Sequence, residues 1–411
     1  MFGCRVVRCE EAVRASRGGR GLGWAGHLGI ISVVVLCLHI LTLPAFAAKS
    51  RRWHPQASVP ATEDSSNTAW MTINADTGEV LASQEQDRRG APASMTKMML
   101  ALLVMEAVRD GQLKLTDPVT TSAWASHIGG SRVYLKEGES FPVEDMMSAL
   151  LIGSANDVAV ALAERLFGNV QGAVARVNDR AAELKLTSTH YASVHGLPPG
   201  PGQESDVTTP RDMARLAQEL VKFPDILRWT STPVAPFRQG AFILRNSNLL
   251  IGHFPGADGL KTGHYHQAGY NVTATAIRGN LRLITVVMGA PSNRARFEEA
   301  SRLLGDGFTR YVEVVVAKAG TPQGTELRIP RANAAFRPVT KGDVRVLVLR
   351  DQKDAIRTSV DIENGLRAPL TKGQTVGTLI ARIGDREIAR TSVVTPAAVS
   401  RSFYWWLTPW R

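Results

Sequence analysis

The 411-residue sequence predicts an α+β fold, in which an antiparallel sheet is covered by helices and a small all-β domain follows. Strand-like stretches open and close the part of the chain before residue 315, and a long helical middle separates them. After residue 315, short Val, Ile and Leu stretches alternate with Gly, Pro and Lys-Gly. An apolar fraction of 44% and a charged fraction of 21% are typical of globular proteins and exclude a largely disordered or fibrous chain.

Residues 1–47 have the pattern of a secretory signal peptide. Five arginines precede an apolar run from Leu28 to Leu43, and Ala45-Phe46-Ala47 supplies the small-residue cleavage pattern. The run is shorter than the ~20 residues of a spanning helix, so an uncleaved membrane anchor is the less favoured alternative. The basic region before the run is long for a leader, which a start codon assigned too far upstream would explain.

Cleavage after Ala47 would also change the chemistry of the chain. All three cysteines (Cys4, Cys9 and Cys37) lie in the leader, so disulfides and cysteine catalysis are excluded for the mature protein. The formal net charge would fall from +11 to +8, because the leader carries five basic and two acidic residues. For an exported basic protein we expect anionic lipid head groups and wall polymers as partners, and no nucleic acid.

Residues 48–67 are polar and predict a flexible lead-in, so the first domain is expected to span residues 68–314. Two strand-like stretches, Ala69–Ile73 and Val80–Ser83, flank an Asn-Ala-Asp-Thr-Gly sequence that suits a hairpin turn. The run Met95–Val108 is almost wholly apolar, which predicts a helix buried on nearly every side. Ser94 would be the N-cap of that helix or lie in its first turn.

The rest of the chain continues this pattern. Further helices are predicted at Val143–Leu151, Asp157–Leu166, Val170–Leu184, Arg211–Val221 and Phe297–Tyr311. Further strands are predicted at Ala241–Arg245, Gly269–Ile277 and Leu281–Met288. The all-β domain is expected over residues 315–395, with strands such as Val344–Leu349 and Thr375–Ile380.

Ser94 and Lys97 are three residues apart, so on a helix both side chains project from one face. A lysine can act as base to a serine when burial or a neighbouring cation depresses its pKa, and the buried helix offers such burial. Taken alone the pair is weak, because a Ser-x-x-Lys is expected about once or twice by chance in a chain of this length. A capping serine beside a solvated lysine is the alternative.

Two further motifs follow in order. Ser154-Ala155-Asn156 stands 60 residues later at the junction of two predicted helices, and Lys261-Thr262-Gly263 stands a further 107 residues on, just before the strand at Gly269. Separately, the first could simply cap a helix and the second could be an ordinary turn. Together they supply a nucleophile with its base, a second hydroxyl with an amide, and a cation with a donor for a substrate carboxylate.

The segment from about Ala69 to Tyr311 resembles the serine D-alanyl-D-alanine carboxypeptidases, the low-molecular-mass penicillin-binding proteins of the peptidase S11 type. Besides the three motifs, the segments His195-Gly196-Leu197 and Arg211-Asp212-Met213-Ala214 are similar to that family's. The stretch Leu366–Gly373 resembles part of its second domain. The resemblance implies a β-lactamase/transpeptidase-like sheet flanked by helices and a peptidoglycan pentapeptide as substrate.

The resemblance also implies a role for each motif residue. Ser94 would attack the carbonyl of the penultimate D-alanine, and Lys97 would accept its proton. Ser154, with Lys261, would relay a proton to the departing amine. Asn156 would bind the substrate amide, while Lys261, Thr262 and Gly263 would meet the terminal carboxylate. The main-chain N–H groups of Ser94 and His264 would form the oxyanion hole. β-Lactams would acylate Ser94 and leave slowly, which makes them inhibitors.

Two other enzyme types share these motifs. A class A-like β-lactamase needs a dedicated glutamate for deacylation, and no Glu-x-x-x-Asn run follows Ser154. D,D-endopeptidases of the same family generally lack the β domain predicted here. A non-catalytic wall-binding scaffold would not need the intact Ser94 and Lys97.

Three remaining features complete the expectations. The spacings of His195, His253 and His266 match no metal-ligand pattern, and serine–lysine chemistry needs no metal or cofactor. Arg296, Glu298 and Glu299 are expected to form a solvated helix face.

Residues 396–411 are predicted to form an amphipathic tail for an anionic membrane surface. Apolar residues repeat there at helical spacing beside arginines: Val399, Phe403, Trp406, Leu407 and Trp410. The protein is thus expected at the periplasmic face of the bacterial inner membrane, as a peripheral protein.

Overall fold

The computed structural model describes residues 68–403. The predicted signal peptide, the predicted lead-in and residues 404–411 of the predicted tail lie outside the described residues. Within the described part, no helix is long and apolar enough to cross a membrane.

The core of the first domain is a five-stranded antiparallel sheet in the order β2-β1-β9-β8-β7. Its strands are β1 (Ala69–Asn74), β2 (Val80–Gln84), β7 (Ala257–Tyr265), β8 (Gly269–Arg278) and β9 (Leu281–Ala290). β1 pairs with β9, so the first and last segments of the sheet lie side by side, as predicted.

Helices cover both faces of this sheet. They are α1 (Lys97–Arg109), α2 (Ala123–His127), α3 (Val143–Leu151), α4 (Asn156–Phe167), α5 (Val170–Glu183), α6 (Pro210–Leu220), α7 (Pro224–Thr230) and α8 (Asn293–Arg310). Two short antiparallel strand pairs accompany the helices: β3 (Pro118–Thr120) pairs with β4 (Ser140–Pro142), and β5 (Val234–Phe237) pairs with β6 (Phe242–Arg245).

The alternation of side chains along β9 assigns its two faces to two cores. Ile284 and Val286 join the large cluster around α1, whereas Leu283 and Val287 pack with α8. α1 is buried on nearly every side, as its apolar sequence predicted. The α+β fold class is confirmed.

Strand β7 was not predicted: the sequence placed Lys261-Thr262-Gly263 just before the strand at Gly269 and gave these residues no strand of their own. The motif lies inside β7, which pairs with β8 from Ala257 to Tyr265. Two glycines and several polar residues give this segment a weak strand pattern. Its extended structure therefore depends on its pairing with β8.

The C-terminal region is all-β, as predicted. It contains β10 (Tyr311–Ala317), β11 (Val339–Thr340), β12 (Val344–Leu349), β13 (Ile356–Ile362), β14 (Thr375–Ile383) and β15 (Arg386–Val394). β10 pairs with β12, and the other four form a sheet in the order β11-β15-β14-β13. β10 therefore begins before residue 315, where the sequence analysis placed the change of pattern.

The start of the predicted tail also differs from its prediction. Val399 exchanges backbone hydrogen bonds with Leu370 and is buried in the core of the β domain. Arg401 forms a further bridge with Ala332. The chain is thus extended and packed up to residue 401, and Val399 does not belong to a helical apolar face.

Candidate active site

Ser94 lies in a 3-10 turn, Ala93–Thr96, that leads directly into α1 and is called the nucleophile turn below. Ala93 has a φ of 49°, in the left-handed region that non-glycine residues rarely adopt. Two glycines let other segments approach this turn. A Cβ atom on Gly196 would lie 2.0 Å from the Ala93 carbonyl oxygen, and one on Gly263 would lie 2.2 Å from the Pro92 carbonyl oxygen. The turn is thus enclosed by backbone on two sides.

The first predicted pair is assembled as expected. Lys97 Nζ lies 2.9 Å from Ser94 Oγ and donates a second hydrogen bond of 2.6 Å to the His195 carbonyl oxygen. The second contact holds the amine in place beside the hydroxyl. The side chain of Lys97 is fully buried, with an exposed fraction of 0%.

The surroundings of Lys97 favour its neutral form. Burial, followed by the positive charge of Lys261, holds the pKa of Lys97 well below its ordinary value. A neutral amine has a free lone pair and can accept the hydroxyl proton of Ser94.

Ser154 lies in the turn between α3 and α4, the helix junction that the sequence predicted. Its φ of 59° is left-handed, and its hydroxyl accepts a 2.9 Å hydrogen bond from Lys261 Nζ. Lys261 is 1% exposed and also donates to the Thr262 carbonyl oxygen. Burial, with a smaller contribution from Arg296, lowers the pKa of Lys261 to about 7, so this amine changes charge near neutral pH.

Asn156 is the first residue of α4 and is 1% exposed. Its Nδ2 donates a 2.8 Å hydrogen bond to the Gly129 carbonyl oxygen. Its Oδ1 is buried without a hydrogen-bond partner among the described residues. A buried acceptor without a partner is costly unless a ligand supplies a donor, so this oxygen suits a substrate N–H group.

Thr262 and Gly263 follow Lys261 on β7. The Thr262 hydroxyl lies 2.6 Å from the Ser247 hydroxyl. Gly263 lies close to the nucleophile turn, since a Cβ atom there would be 3.1 Å from Ser94 N. β7 therefore runs beside the main-chain N–H of Ser94. The His264 ring stacks on Tyr270 with centroids 3.8 Å apart.

Arg296 corrects the expectation of a solvated helix face. It is only 6% exposed, and its Nη1 donates to the carbonyl oxygens of Asn271 and Gly263 at 2.9 and 3.2 Å. Glu298 is exposed and Glu299 is half-buried. Arg296 shares the apolar stripe of α8 with Ala300, Leu303 and Gly307 at helical spacing, which is the sequence signal for its burial.

Three further residues shape the site. Asp206 accepts from the Thr96 hydroxyl at 2.9 Å and from the Ala192 and Ser193 N–H groups, which ties the nucleophile turn to the segment before His195. Asp157 accepts from the backbone N–H groups of Val133 and Leu135. Asn271 joins Ala91 to Gly289 through its side-chain amide.

The arrangement combines a hydroxyl with a buried amine, a second hydroxyl with a second buried amine, and a buried unpaired amide oxygen. Acyl transfer through serine needs a hydroxyl nucleophile, a base beside it and donors for a carboxylate. Within residues 68–403, no cluster of three or more potential metal-ligating side chains is present.

Comparison with protein families gives two matches. Residues 55–292 match the peptidase S11 family, described as D-alanyl-D-alanine carboxypeptidase, and residues 332–401 match the C-terminal domain of penicillin-binding protein 5. The chain is 33% identical to D-alanyl-D-alanine carboxypeptidase DacF of Bacillus subtilis over 79% of its own length and 83% of the relative's. It is 34% identical to DacC of Escherichia coli, over 79% and 82% respectively.

Solved structures agree with these matches. Penicillin-binding protein 5 of Haemophilus influenzae superposes with a TM-score of 0.69 at 28% identity, covering 84% of this chain and all of that one. Penicillin-binding protein D2 of Listeria monocytogenes, in its ampicillin-bound form, superposes with a TM-score of 0.55 at 32% identity, covering 61% of this chain and 100% of that one. With its two domains and its serine and lysine pairs, this chain belongs to the D-alanyl-D-alanine carboxypeptidase family of serine peptidases.

Proposed function

We propose that this enzyme removes the terminal D-alanine from peptidoglycan pentapeptide stems through an acyl-enzyme on Ser94. The observation that carries the proposal is the contact of 2.9 Å between Ser94 Oγ and the buried Nζ of Lys97. The depressed pKa of Lys97 supports its role as general base.

In the acylation step, Ser94 Oγ attacks the carbonyl carbon of the penultimate D-alanine while Lys97 Nζ takes the hydroxyl proton. The carbonyl oxygen becomes an oxyanion, which the main-chain N–H groups of Ser94 and His264 stabilise. The close approach of Gly263 to Ser94 N supports this oxyanion hole. Each such donor is worth about 10²-fold to 10³-fold in rate.

When the tetrahedral intermediate collapses, the C–N bond breaks and D-alanine leaves as an amine that needs a proton. The Ser154 hydroxyl supplies this proton and regains one from Lys261 Nζ, 2.9 Å away. Asn156 Oδ1 accepts from the substrate amide, and Lys261 and Thr262 hold the terminal carboxylate with the backbone at Gly263. The lowered pKa of Lys261, about 7, suits a group that gives up a proton at neutral pH.

In the deacylation step, water attacks the ester carbonyl and its proton passes to the Ser154–Lys261 pair, which restores the proton that Lys261 gave up. Lys97 returns its proton to Ser94 Oγ as the C–O bond breaks. A β-lactam presents a carbonyl and a carboxylate to the same groups, so it would acylate Ser94. Its leaving amine stays attached, which obstructs water. The ampicillin-bound form of the related Listeria protein supports β-lactams as inhibitors of this enzyme.

We place the enzyme outside the cytoplasm, as a peripheral protein on the periplasmic face of the inner membrane. The leader pattern of residues 1–47 and the nature of the substrate support export. The aromatic residues and arginines of the C-terminal tail support contact with an anionic membrane surface.

The test of the proposed function is mass spectrometry of D-alanine release from a pentapeptide, with Ser94→Ala and Lys97→Ala as comparison variants. We expect release by the wild type and a loss of at least about 10³-fold in each variant, because each removes a member of one catalytic unit. Release that Ser94→Ala leaves unchanged would refute the assignment.

Penicillin distinguishes the carboxypeptidase from its closest rival. We expect a long-lived covalent adduct on Ser94, detected as a mass increase of the intact protein. Rapid turnover of penicillin would instead indicate a class A-like β-lactamase, and release of cross-linked stems would indicate a D,D-endopeptidase.

A further inference from the structure

One buried carboxylate, that of Asp206, joins two segments of the site. Its Oδ2 accepts a 2.9 Å hydrogen bond from the hydroxyl of Thr96, the residue directly before the proposed base. Its Oδ1 accepts from the backbone N–H groups of Ala192 and Ser193 at 2.7 and 2.9 Å. The side chain is 6% exposed. Asp206 therefore holds the nucleophile turn and residues 192–196 together.

The hydroxyl of Ser193 extends this contact along the chain. It donates to Asp206 Oδ2 at 2.8 Å and accepts from the backbone N–H of Gly196 at 2.8 Å. His195 lies between Ser193 and Gly196 in sequence, and its carbonyl oxygen accepts the 2.6 Å hydrogen bond from Lys97 Nζ. The direction of this carbonyl is thus set by hydrogen bonds that lead back to Asp206.

Asp206 also brings a negative charge into the surroundings of Lys97. Burial raises the pKa of the Asp206 carboxyl, and its hydrogen bonds oppose that rise by favouring the ionised form. Burial lowers the pKa of Lys97 most, Lys261 lowers it further, and the carboxylates of Asp206 and Asp157 raise it. His195 adds no charge near neutral pH, because burial, followed by Lys97, lowers its pKa to about 4.

The charge of Asp206 acts when Lys97 becomes an ammonium. In the proposed acylation step, a proton moves from Ser94 Oγ to Lys97 Nζ, 2.9 Å away, so a positive charge forms at a buried atom. A negative charge that is already held in place stabilises this ammonium without any reorganisation of the site. Asp206 itself neither gains nor loses a proton in this step.

We infer that Asp206 is the positioning residue of the Ser94–Lys97 pair. It fixes the carbonyl that receives the hydrogen bond of the amine, and it stabilises the ammonium that forms during acylation. The inference rests on the proposed function, because that function makes Lys97 the general base.

The experiment measures two rate constants between pH 4 and pH 10: acylation of Ser94 by a fluorescent penicillin, and kcat/KM for D-alanine release. Asp206→Asn removes the charge and keeps the size of the side chain. We expect both rate constants to fall about tenfold at their maxima, because an opposite charge near a buried amine shifts its pKa by about one unit or more. The acid limb of both profiles should move to lower pH, since loss of this carboxylate lowers the pKa of Lys97 further.

Two further variants separate the charge from the hydrogen bonds. Ser193→Ala removes the hydroxyl that links Asp206 to Gly196 but keeps the carboxylate. It should lower both rate constants and leave the acid limb in place. Asp206→Glu restores the charge and should return the acid limb to its wild-type position.

Asp179→Asn is the matched control, because Asp179 is exposed on α5, and it should change neither rate constant nor limb. Rate constants of Asp206→Asn within about twofold of the wild type would overturn the inference alone. A loss of rate with the acid limb unmoved would leave Asp206 a structural role only and would also overturn it. A wild type that neither releases D-alanine nor is acylated by penicillin would overturn the proposed function, and this inference with it.

Discussion

At the scale of single residues, the site contains two buried lysines, to which we assign different tasks in the proposed mechanism. Lys97 lies in hydrogen-bond contact with Ser94 and, as the proposed base, would have to be neutral to accept a proton. Lys261 contacts Ser154 and, in its proposed role, would have to carry a proton to donate it and to attract a carboxylate. Burial lowers the pKa of both, and the charge of Lys261 lowers that of Lys97 further. Their neighbours thus set the pH range of activity.

The first prediction concerns this pH range. For the free enzyme, kcat/KM should rise with pH as Lys97 loses its proton and fall above about pH 7 as Lys261 loses its own. Arg296→Gln removes a positive charge that lowers the pKa of Lys261. The pKa of Lys261 should therefore rise, and the alkaline limb of the profile should move up by about one pH unit.

The measurement is kcat/KM for D-alanine release between pH 5 and pH 10, compared between variants. Arg302→Gln is the control, because Arg302 lies on the same helix and pairs with Glu299 and Asp306 at the surface. It should leave both limbs in place. An alkaline limb that does not move in Arg296→Gln would show that Arg296 does not act on Lys261.

The sequence predicted the placement of some site residues better than that of others. The motif residues were predicted well, because the order of the motifs along the chain is informative. The structure brings Lys97 into contact with Ser94 and Lys261 into contact with Ser154. Arg296 was assigned to solvent because arginine is rarely buried. Its burial depends on two backbone carbonyls from β7 and β8, and such partners come together only in the folded chain.

At the scale of secondary-structure elements, the site depends on how closely β7 approaches the nucleophile turn. Gly263 is the residue of closest approach, since any side chain there would collide with the Pro92 carbonyl oxygen. The same approach places the backbone of β7 beside Ser94 N, where the oxyanion would form.

The second prediction is that Gly263→Ala opens this contact. A Cβ atom 2.2 Å from the Pro92 carbonyl oxygen forces β7 and the turn apart, so kcat/KM should fall by about 100-fold to 1,000-fold, as when one oxyanion donor is lost. Steady-state kinetics of D-alanine release measures this effect. Activity within about twofold of the wild type would contradict it.

Gly305→Ala is the matched control for that variant. Gly305 lies within α8, and a Cβ atom there would meet nothing within 4 Å. Alanine favours a helix over glycine, so this variant should keep full activity and gain about 0.5–1 kcal/mol in the free energy of unfolding.

Local sequence predicted most helices and strands of the catalytic domain to within a few residues, but it missed β7. α3 has the predicted bounds Val143–Leu151, and α4, α5 and α6 differ from their predictions by only a residue or so at either end. Their apolar periodicity and caps act over a few residues, as at Thr209, which accepts from Asp212 N at the start of α6. β7 was missed because its structure comes from pairing with β8, and Gly259 and Gly263 weaken its own strand pattern.

At the scale of the whole molecule, the described end of the chain belongs to the β domain, and the membrane contact that we propose concerns the residues that follow it. The C-terminal chain remains part of the β domain through the backbone bonds of Val399 with Leu370 and the bridge of Arg401 with Ala332. A membrane-contacting tail would therefore begin after these residues.

The third prediction is that deleting residues 404–411 moves the enzyme from the membrane fraction to the soluble fraction. The deletion removes Trp405, Trp406 and Trp410 but keeps the bonds of Val399, so D-alanine release from a soluble peptide should not change. Cell fractionation and a peptide assay measure the two results. Equal membrane association of both forms would exclude the tail as the anchor.

A longer deletion serves as the comparison. Removing residues 399–411 also takes away the buried side chain of Val399. It should therefore lower the free energy of unfolding by about 2 kcal/mol or more, in addition to its effect on membrane association.

The pairing of β1 with β9 has a consequence for the order of events during synthesis of the chain. The hydroxyls of Thr72 and Thr285, which lie 2.9 Å apart across these strands, are separated by 213 residues of chain. Such distant pairing forms slowly, because the chain must lose the entropy of closing a long loop before any stabilising contact forms. A chain that emerges N-terminus first exposes Ser94 long before Lys261 arrives, so an unfinished molecule carries a nucleophile without its complete surroundings. Hydrolytic activity would then appear only once nearly the whole catalytic domain has been made.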